Sequence, residues 1–285
     1  MARIFIAGCG FAGLATARLF SSRGWEVIGG THSRESATHL AGEDFPVLGV
    51  DICDREALGA APLLKRLDAV IHCASSGHGG IEQYRAVYLE GARNLAEVLE
   101  PGRLVFTGST SVYAQLDGSW VTEESPAEPD RETGRVLRQT EELVLGSGGV
   151  VARLAGIYGP GRSVLLRKFL AGEAVLEAGG ARWINQIHRE DIAGALLTLL
   201  ENGAQGLFNV SDNEPLQQRD IYAGLAQRFN RPLPPEGPVD SNRKRGVTNK
   251  RVSNTKLRAL GWQPRYGSFF DALKKDAALL AALTP

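Results

Sequence analysis

The sequence is poor in cysteine and carries no excess of either charge. Its 285 residues include three cysteines, Cys9, Cys53 and Cys73, and none of them forms a C-x-x-C pair. That usage favours reduced thiols over a disulfide framework. The five histidines show no ligand spacing such as H-E-x-x-H, so we expect no metal. The formal net charge is +0, which argues against a nucleic-acid partner, because such proteins usually carry a basic stripe.

Long apolar runs are also missing. No hydrophobic stretch reaches the length of a membrane span, so we expect no membrane partner. The first residues are typical of a strand and lack the layout of a signal peptide, which predicts a cytoplasmic protein. Hydrophobic residues make up 43% and charged residues 22%, as in a globular protein with a sizeable core. The length allows one large domain or two modest ones.

A glycine-rich segment between a strand and a helix is the most informative motif. Residues 3–7 form a short apolar run, and Gly-Cys-Gly-Phe-Ala-Gly follows at 8–13. Gly8 permits a tight turn, Gly10 lets the backbone approach a diphosphate, and Gly13 lets the helix pack close to the sheet. The helix N-terminus would turn the N–H groups of Phe11 and Ala12 towards the phosphates. The motif therefore predicts dinucleotide binding.

Strands and helices alternate through the first half, which predicts an α/β fold with a Rossmann-type doubly wound parallel sheet. The expected strands are 4–7, 26–29, 46–50, 69–73, 104–107 and 150–154. We expect a NAD(P)-binding domain over 1–155 and a smaller C-terminal substrate lobe over 156–285, interleaved with late sheet strands. In that lobe, Asp191 is expected to cap a helix over 192–201. A final helix is expected over 268–283.

Coenzyme choice is usually decided just after the second strand. NAD-binding proteins place an acidic residue there for the ribose 2′-hydroxyl, but this chain has Thr31-His-Ser-Arg34 and no acid before Glu35. A guanidinium suits a 2′-phosphate, so Arg34 with Thr31 favours NADP, with NAD possible. The alternative is that Arg34 only begins a surface helix.

The ends of the next strands supply further candidates, because ligands bind outside the carboxyl ends of such sheets. Asp51 can accept a bond from the adenine amino group, with Ile52 against the ring, or it can cap the helix before Arg55. Cys73 and Ala74 end the fourth strand beside the coenzyme. His72 is either a structural histidine or a neighbour of the nicotinamide ribose.

Four sequence blocks resemble the extended short-chain dehydrogenase/reductases, the NAD(P)-dependent epimerase/dehydratase family, and the likeness covers nearly the whole chain. The family's S-S-x-x-V-Y-G block is similar to residues 109–114, and its LR-x-x-x-VYGPG block to 153–161. Its hVDD block resembles 187–191, and its tail, a basic stretch before LGW-x-P, resembles 250–264. Any one block is weak, but four in order are specific.

The resemblance implies a serine that orients the substrate and a Y-x-x-x-K pair that moves the proton. Ser109 matches the serine by its distance before Val112. The helix expected over 132–145 has neither the tyrosine nor the lysine. The proton carrier would then be non-standard: Tyr113, His78 or water. The sequence therefore allows an oxidoreductase or epimerase of an atypical branch, or a catalytically inactive NADP(H) sensor or scaffold.

The resemblance further implies a small-molecule substrate in a cleft between the two lobes, and a nucleotide sugar is one candidate. The substrate-binding candidates are Tyr158, Arg162, Asn185 and Arg245. Further candidates for this cleft are Arg243, Lys244, Arg251 and His188, although the basic residues are equally consistent with a solvated loop. Family members commonly dimerise through helices equivalent to 83–99 and 132–145, which implies a possible homodimer.

Overall fold

A seven-stranded parallel sheet forms the centre of the molecule, in a computed structural model that describes residues 1–77, 79–240 and 247–281. The strand order is β12-β7-β5-β4-β1-β2-β3, and every pair is parallel. The strands are β1 Arg3–Ala7, β2 Glu26–Thr31, β3 Val47–Gly49, β4 Ala69–His72, β5 Leu104–Ser109, β7 Val150–Leu154 and β12 Gly206–Val210. This confirms the predicted Rossmann-type sheet.

Short strand pairs build the rest of the β-structure. β8 pairs with β11 and β6 with β15, both parallel, and β10 pairs with β13 antiparallel. β9 pairs with β14 in parallel. Their bounds are β6 Trp120–Val121, β8 Gly156–Tyr158, β9 Leu176–Glu177, β10 Trp183–Ile184, β11 Gln186–His188, β13 Leu216–Gln217, β14 Glu236–Gly237 and β15 Arg251–Val252.

The helices follow the strands as the alternation predicts, with one π-helical turn at Ala86–Glu90 that joins α4 to α5. Among the described residues, no helix has both the length and the apolar character that crossing a membrane requires. The helices are α1 Phe11–Ser22, α2 Arg34–Thr38, α3 Arg55–Ala60, α4 Ile81–Arg85, α5 Gly91–Leu99, α6 Glu132–Gly146, α7 Val164–Leu170, α8 Arg189–Glu201, α9 Gln218–Phe229, α10 Thr255–Arg258, α11 Phe269–Lys275 and α12 Ala277–Ala281.

Both faces of the sheet are covered by helices, which is why its strands are nearly continuous apolar runs. Phe5 packs on the face that α3, α5 and α6 cover, and its neighbours Ile4 and Ile6 pack on the face of α1 and α8. A third apolar cluster, around Phe169 and Tyr222, holds the C-terminal lobe together. β12 and α8 come from beyond residue 155 yet complete the sheet and its cover.

Two local expectations are wrong. Asp191 lies inside α8, and the cap is His188, whose Nδ1 accepts from Glu190 N at 3.3 Å. The buried Asp191 carboxylate instead accepts from the backbone N–H of Arg265 and of Tyr266, which fastens the C-terminal segment to α8. The final helix is also broken: α11 ends before Asp276 and α12 begins after it.

Candidate functional site

The glycine turn has the geometry that a bound diphosphate needs. Gly8 has φ +106°, and a Cβ there would lie 2.4 Å from Ala74 N. A Cβ on Gly13 would lie 2.0 Å from the Gly8 carbonyl oxygen, so both positions require glycine. A Cβ on Gly10 would meet no atom within 4 Å, because Gly10 borders open space. Gly10 caps α1 without a side-chain hydrogen bond, which leaves first-turn N–H groups for a ligand.

A cleft of about 510 Å³ opens at this turn, and we call it the coenzyme cleft. Its walls come from the carboxyl ends of β1, β2, β4 and β5 and from the start of α1, as expected for an open α/β sheet. It gathers most of the predicted coenzyme contacts, namely Gly8, Gly10, Phe11, Ala12, Thr31, Cys73 and Ala74.

A smaller pocket of about 260 Å³ adjoins the coenzyme cleft, and Gly8, Thr31 and Ala74 line both. Asp51 and Ile52, the residues predicted to contact adenine, lie in its wall. Asp51 does not cap α3, because that cap is Asp54, whose Oδ1 accepts from Ala57 N at 2.9 Å. The alternative reading of Asp51 as a helix cap is therefore wrong.

Arg34 is the first residue of α2 and is exposed to solvent. Its side chain does not line the coenzyme cleft, whereas His32, Ser36 and His39 from the same segment do. Thr31 Oγ1 donates a hydrogen bond to Ser33 O at 2.9 Å, which shapes the turn into α2.

Arg162 lies beside the coenzyme glycines and lines the coenzyme cleft. Its guanidinium carbon lies 5.3 Å from the centre of the Phe11 ring, and that of Arg189 lies 5.0 Å from it. The turn that carries Arg162 is closed by hydrogen bonds of 2.9 Å between Gly159 and Arg162 in both directions. The structure thus places this predicted substrate residue at the N-terminus of α1.

A second cleft, of about 480 Å³, lies between the sheet and the C-terminal lobe, and we call it the substrate cleft. Ser109 and the turn after it form one wall, and Tyr158 lies in another. The Tyr158 hydroxyl is buried and has no hydrogen-bond partner among the described residues. Leu154 and Ile157 line both clefts, so the two spaces meet next to the end of β5.

Tyr113 does not reach either cleft. Its side chain is fully buried, and its hydroxyl lies 2.8 Å from Thr122 O and 2.9 Å from Asn209 Oδ1. Burial raises the pKa of Tyr113, which disfavours the phenolate. The ring packs against the guanidinium of Arg153. We therefore do not retain Tyr113 as a proton carrier.

His72 is buried in the sheet, with Nε2 3.0 Å from Val87 O. Burial lowers the pKa of His72 to about 4, so the ring is neutral at physiological pH. His188 is also buried, and Arg251 lies between the rings of Trp120 and Trp183. These positions lie outside the two clefts. His78, Arg243, Lys244 and Arg245 fall outside the described residues.

Asn185 lines the substrate cleft, but its amide holds the backbone of the chain's tail. Its Nδ2 donates to Lys250 O at 2.8 Å, and its Oδ1 accepts from Val252 N at 2.7 Å. These bonds hold Lys250 in the wall of the substrate cleft, which Ser109 also lines. Lys250 is 4% exposed, which is unusual for a lysine.

In the sequence, Lys250 is notable only as the first residue of a basic stretch. Its Nζ donates to Tyr113 O at 3.0 Å and to Thr248 Oγ1 at 2.7 Å. Burial, and secondarily the charge of Arg182, lowers the pKa of Lys250 to about 7. No local sequence signal marks this lysine, because its position depends on the pairing of β15 with β6.

The fold and the two clefts define a dinucleotide-binding type of α/β protein, and comparison with known families makes the class specific. The model of the NAD dependent epimerase/dehydratase family matches residues 4–211. The chain belongs to this family.

Among individual proteins, the chain is similar to Protein YeeZ of Escherichia coli K12, with 28% identity over 93% of this chain and 97% of that protein. It is also similar to 3-diazoavenalumate denitrifying reductase of Streptomyces sp., with 26% identity over 81% of this chain and 86% of that one. The solved structure of UDP-glucose 4-epimerase from Thermotoga maritima, with UDP-glucose, shares the fold at a TM-score of 0.81. It is 18% identical and covers 99% of this chain and 98% of its own.

Proposed function

We propose that this protein is an NADP-dependent oxidoreductase or epimerase that acts on a sugar or nucleotide-sugar type substrate. One observation carries the proposal: the coenzyme cleft and the substrate cleft meet at Leu154 and Ile157, beside Ser109. A coenzyme and a substrate in these spaces would touch at that junction. Convergent polar groups at such a junction are the usual mark of an active site.

The residues of the coenzyme cleft fit a nicotinamide dinucleotide. The space beside Gly10 and the first-turn N–H groups of α1 suit its diphosphate, and the pocket at Asp51 and Ile52 suits its adenine. When bound, the coenzyme would supply or accept a hydride. Ser109 would orient the substrate's carbonyl or hydroxyl group from the end of β5.

NADP is the preferred coenzyme in this proposal because the end of β2 carries no acid and α2 begins with Arg34. The Arg34 side chain is exposed at the start of α2, and guanidinium groups match phosphate oxygens in fork geometry. The direction of this preference is testable with the two coenzymes alone.

The substrate class rests on the size and polarity of the substrate cleft. Its lining includes the cations Lys168 and Arg182 and the carboxylates Glu177 and Asp240, and about 480 Å³ of space would admit a phosphorylated or nucleotide-linked sugar. The Thermotoga maritima structure holds UDP-glucose on the same fold. The more similar Streptomyces chain is named a denitrifying reductase, which supports a reductive activity.

A second candidate is a coenzyme-binding sensor or scaffold without chemistry. α6 follows β5, where the family carries its Tyr-Lys pair, and its sequence ETGRVLRQTEELVLG contains neither residue. The tyrosine normally moves the proton and the lysine lowers its pKa, so their absence favours loss of activity unless another group carries the proton.

Thermal denaturation with each coenzyme tests the cofactor assignment. NADP is expected to raise the melting temperature more than NAD at equal concentration, because a ligand that binds only the folded state adds about 2.7 kcal/mol at 100 times its Kd. Arg34→Ala should remove most of this difference, and Arg23→Ala, an exposed arginine at the other end of α1, should not. Equal shifts from both coenzymes would overturn the NADP preference, and no shift would overturn the coenzyme assignment.

Turnover separates the enzyme from the sensor. Purified protein with NADPH or NADP is offered a panel of sugars, sugar phosphates and nucleotide sugars, and coenzyme absorbance is followed. The enzyme proposal expects turnover with at least one compound and a loss of about 100-fold in kcat for Ser109→Ala, with coenzyme affinity kept. Coenzyme binding with no turnover across the panel would favour the sensor.

A further inference from the structure

Lys250 is a buried lysine in the wall of the substrate cleft. It lines the substrate cleft together with Ser109, Thr110 and Ser111, and Ser109 is paired in the sheet with Leu154, which lines both clefts. Lysine is almost never buried without an ionic partner. Among the described residues, no carboxylate forms an ion pair with Lys250, which sets it apart from the buried Arg153, held by Glu141.

Nζ makes two hydrogen bonds, which leaves its third N–H group, or its lone pair when the amine is neutral, without a protein partner among these contacts. Its two neighbours are the Tyr113 carbonyl at 3.0 Å and Thr248 Oγ1 at 2.7 Å, and both accept hydrogen bonds. A neutral amine satisfies both acceptors with its two N–H groups, and an ammonium has a third proton. Either protonation state therefore keeps the side chain in place, and the lone pair or third proton is left for a ligand.

The backbone of Lys250 is held from several sides, so the amine is presented by a rigid segment. Asn185 brackets it with bonds to Lys250 O and Val252 N. Asn249 accepts from Trp183 N and Gly118 N, and its own N–H donates to Gln115 O. This scaffold makes Asn185 a positioning residue in this chain.

We propose that Lys250 is the proton carrier of the substrate cleft, in the role that the missing tyrosine would have. The inference rests on the proposed oxidoreductase function. In the reductive direction an Nζ–H bond breaks and an O–H bond forms on the substrate's carbonyl oxygen. The reduced nicotinamide coenzyme supplies the two electrons and the hydrogen at carbon. Water then returns a proton to the neutral amine, and the oxidative direction is the reverse.

The electrostatic surroundings suit this role. Burial, with Arg182, lowers the pKa of Lys250 to about 7, so both forms are populated near neutral pH. An acid–base group works best when its pKa lies near the working pH. The other charged or titratable side chains that line the cleft come from α7, β8, β9, α9 and the loops before β10 and after β14, and they are Lys168, Tyr158, Glu177, Tyr222, Arg182 and Asp240.

The first test measures the amine directly and needs no substrate. Competitive labelling with trace acetic anhydride from pH 5 to 10, followed by peptide mass spectrometry, gives the midpoint at which Lys250 becomes reactive. A midpoint about three units below the ordinary lysine value of about 10.4 supports the proposal. A midpoint near 10.4, or no labelling of Lys250 at any pH, overturns it.

The second test uses the pH profile of kcat/KM with a substrate found in the turnover panel. Reduction needs the ammonium, so wild-type kcat/KM should fall as pH rises through about 7, and oxidation should show the opposite slope. Lys250→Arg keeps a cation and donors but cannot titrate in this range, so the ionisation should disappear with a loss of about 100-fold. Lys250→Met, which keeps only the length, should behave alike.

A merely structural lysine would give a different pattern. Melting temperature and NADP affinity are therefore measured for Lys250→Arg, Lys250→Met and the exposed control Lys256→Met. A folded Lys250→Arg protein that retains the wild-type ionisation overturns the proton-carrier role and leaves the proposed function standing. Wild-type protein that binds NADP but turns over no compound overturns the proposed function, and this inference with it.

Discussion

The coenzyme cleft and the substrate cleft differ in the kind of group that shapes them, which is mainly backbone in the first and side chains in the second. The coenzyme cleft depends on backbone: Gly8 at positive φ, Gly13 against the Gly8 carbonyl, and the free N–H groups of α1. The substrate cleft depends on side chains that distant segments bring together, such as Ser109 from β5, Tyr158 from β8 and Lys250 from the tail. The glycine turn of the coenzyme cleft lies within residues 8–13, whereas the substrate cleft exists only after the C-terminal lobe has packed.

This difference explains which site a short motif can encode. A diphosphate is a constant group, so one strand–turn–helix unit with fixed glycines is enough to hold it. The substrate cleft must suit one molecule among many, and its walls come from residues 109–250. Three substitutions test this comparison, from the largest expected effect to the smallest: one in the glycine turn, one in the helix that packs on the sheet, and one at Arg162.

Gly13→Val is expected to have the largest effect. Its Cβ would lie 2.0 Å from a backbone oxygen that cannot move without opening the turn, so we expect a loss of more than about 4 kcal/mol in the free energy of unfolding. Gly10→Ala is the matched control, because its Cβ meets no atom within 4 Å. Gly10→Ala should fold normally and lose NADP affinity, since the methyl group enters the diphosphate space.

Urea denaturation and coenzyme titration measure both variants. Equal destabilisation by the two substitutions would contradict the view that Gly13 serves packing and Gly10 serves the ligand. Unchanged NADP affinity in Gly10→Ala would show that the diphosphate does not bind at this turn.

The sequence predicts the sheet well because each buried strand is a local apolar run between turn residues. The strand at 150–154 is predicted with its observed bounds, and β1 differs by one residue. The cap of α8 could not be predicted as well. Asp191 has the residue type of a cap, but its carboxylate binds the backbone of Arg265 and Tyr266, whose distance in sequence hides the contact.

The candidate site divides in the same way. Gly8, Gly10 and Gly13 are recognisable from spacing alone: Gly8 and Gly10 line the coenzyme cleft, and Gly13 packs against the Gly8 carbonyl. Lys250 cannot be recognised from spacing, because its position depends on the hydrogen bond from Asn185 and on the pairing of β15 with β6. Tyr113 follows a recognisable motif, but the motif does not say that the hydroxyl turns inward to Asn209.

Glu141→Gln, in α6, is the second test. Glu141 lies beneath the sheet with Oε1 2.8 Å from Arg153 Nε and Oε2 2.6 Å from Arg153 Nη2. Neutralising the carboxylate leaves the buried guanidinium unpaired, which costs about 3 kcal/mol or more. Glu142→Gln, with a side chain 66% exposed and a 3.5 Å contact to Arg138, should change stability by less than about 0.5 kcal/mol.

The free energy of unfolding, from urea titration of both proteins, checks this pair. A loss of stability confined to Glu141→Gln, with NADP affinity kept, would show that this part of α6 supports the fold and does not bind the coenzyme. A variant of unchanged stability that loses NADP affinity would instead make Glu141 part of the coenzyme site.

Arg162 is the residue most able to break the comparison, because it is a side chain of the later segment that lies at the backbone site. It contacts Phe11 at the start of α1 and lines the coenzyme cleft. A guanidinium there can add charge-assisted hydrogen bonds to a diphosphate that the helix N-terminus already attracts. Arg162→Ala should therefore raise the Kd for NADP about tenfold, equivalent to about 1.4 kcal/mol, with little change in melting temperature.

Isothermal titration with NADP measures the effect, and Arg167→Ala is the matched control, since Arg167 is exposed and contacts Glu173 at 3.5 Å. The loss should be the same for NAD, because both coenzymes carry the diphosphate. A loss of affinity confined to NADP would indicate that Arg162 contacts the 2′-phosphate. Unchanged affinity for both coenzymes, with a higher KM for the substrate, would indicate that Arg162 contacts the substrate. The diphosphate would then be bound by backbone groups alone.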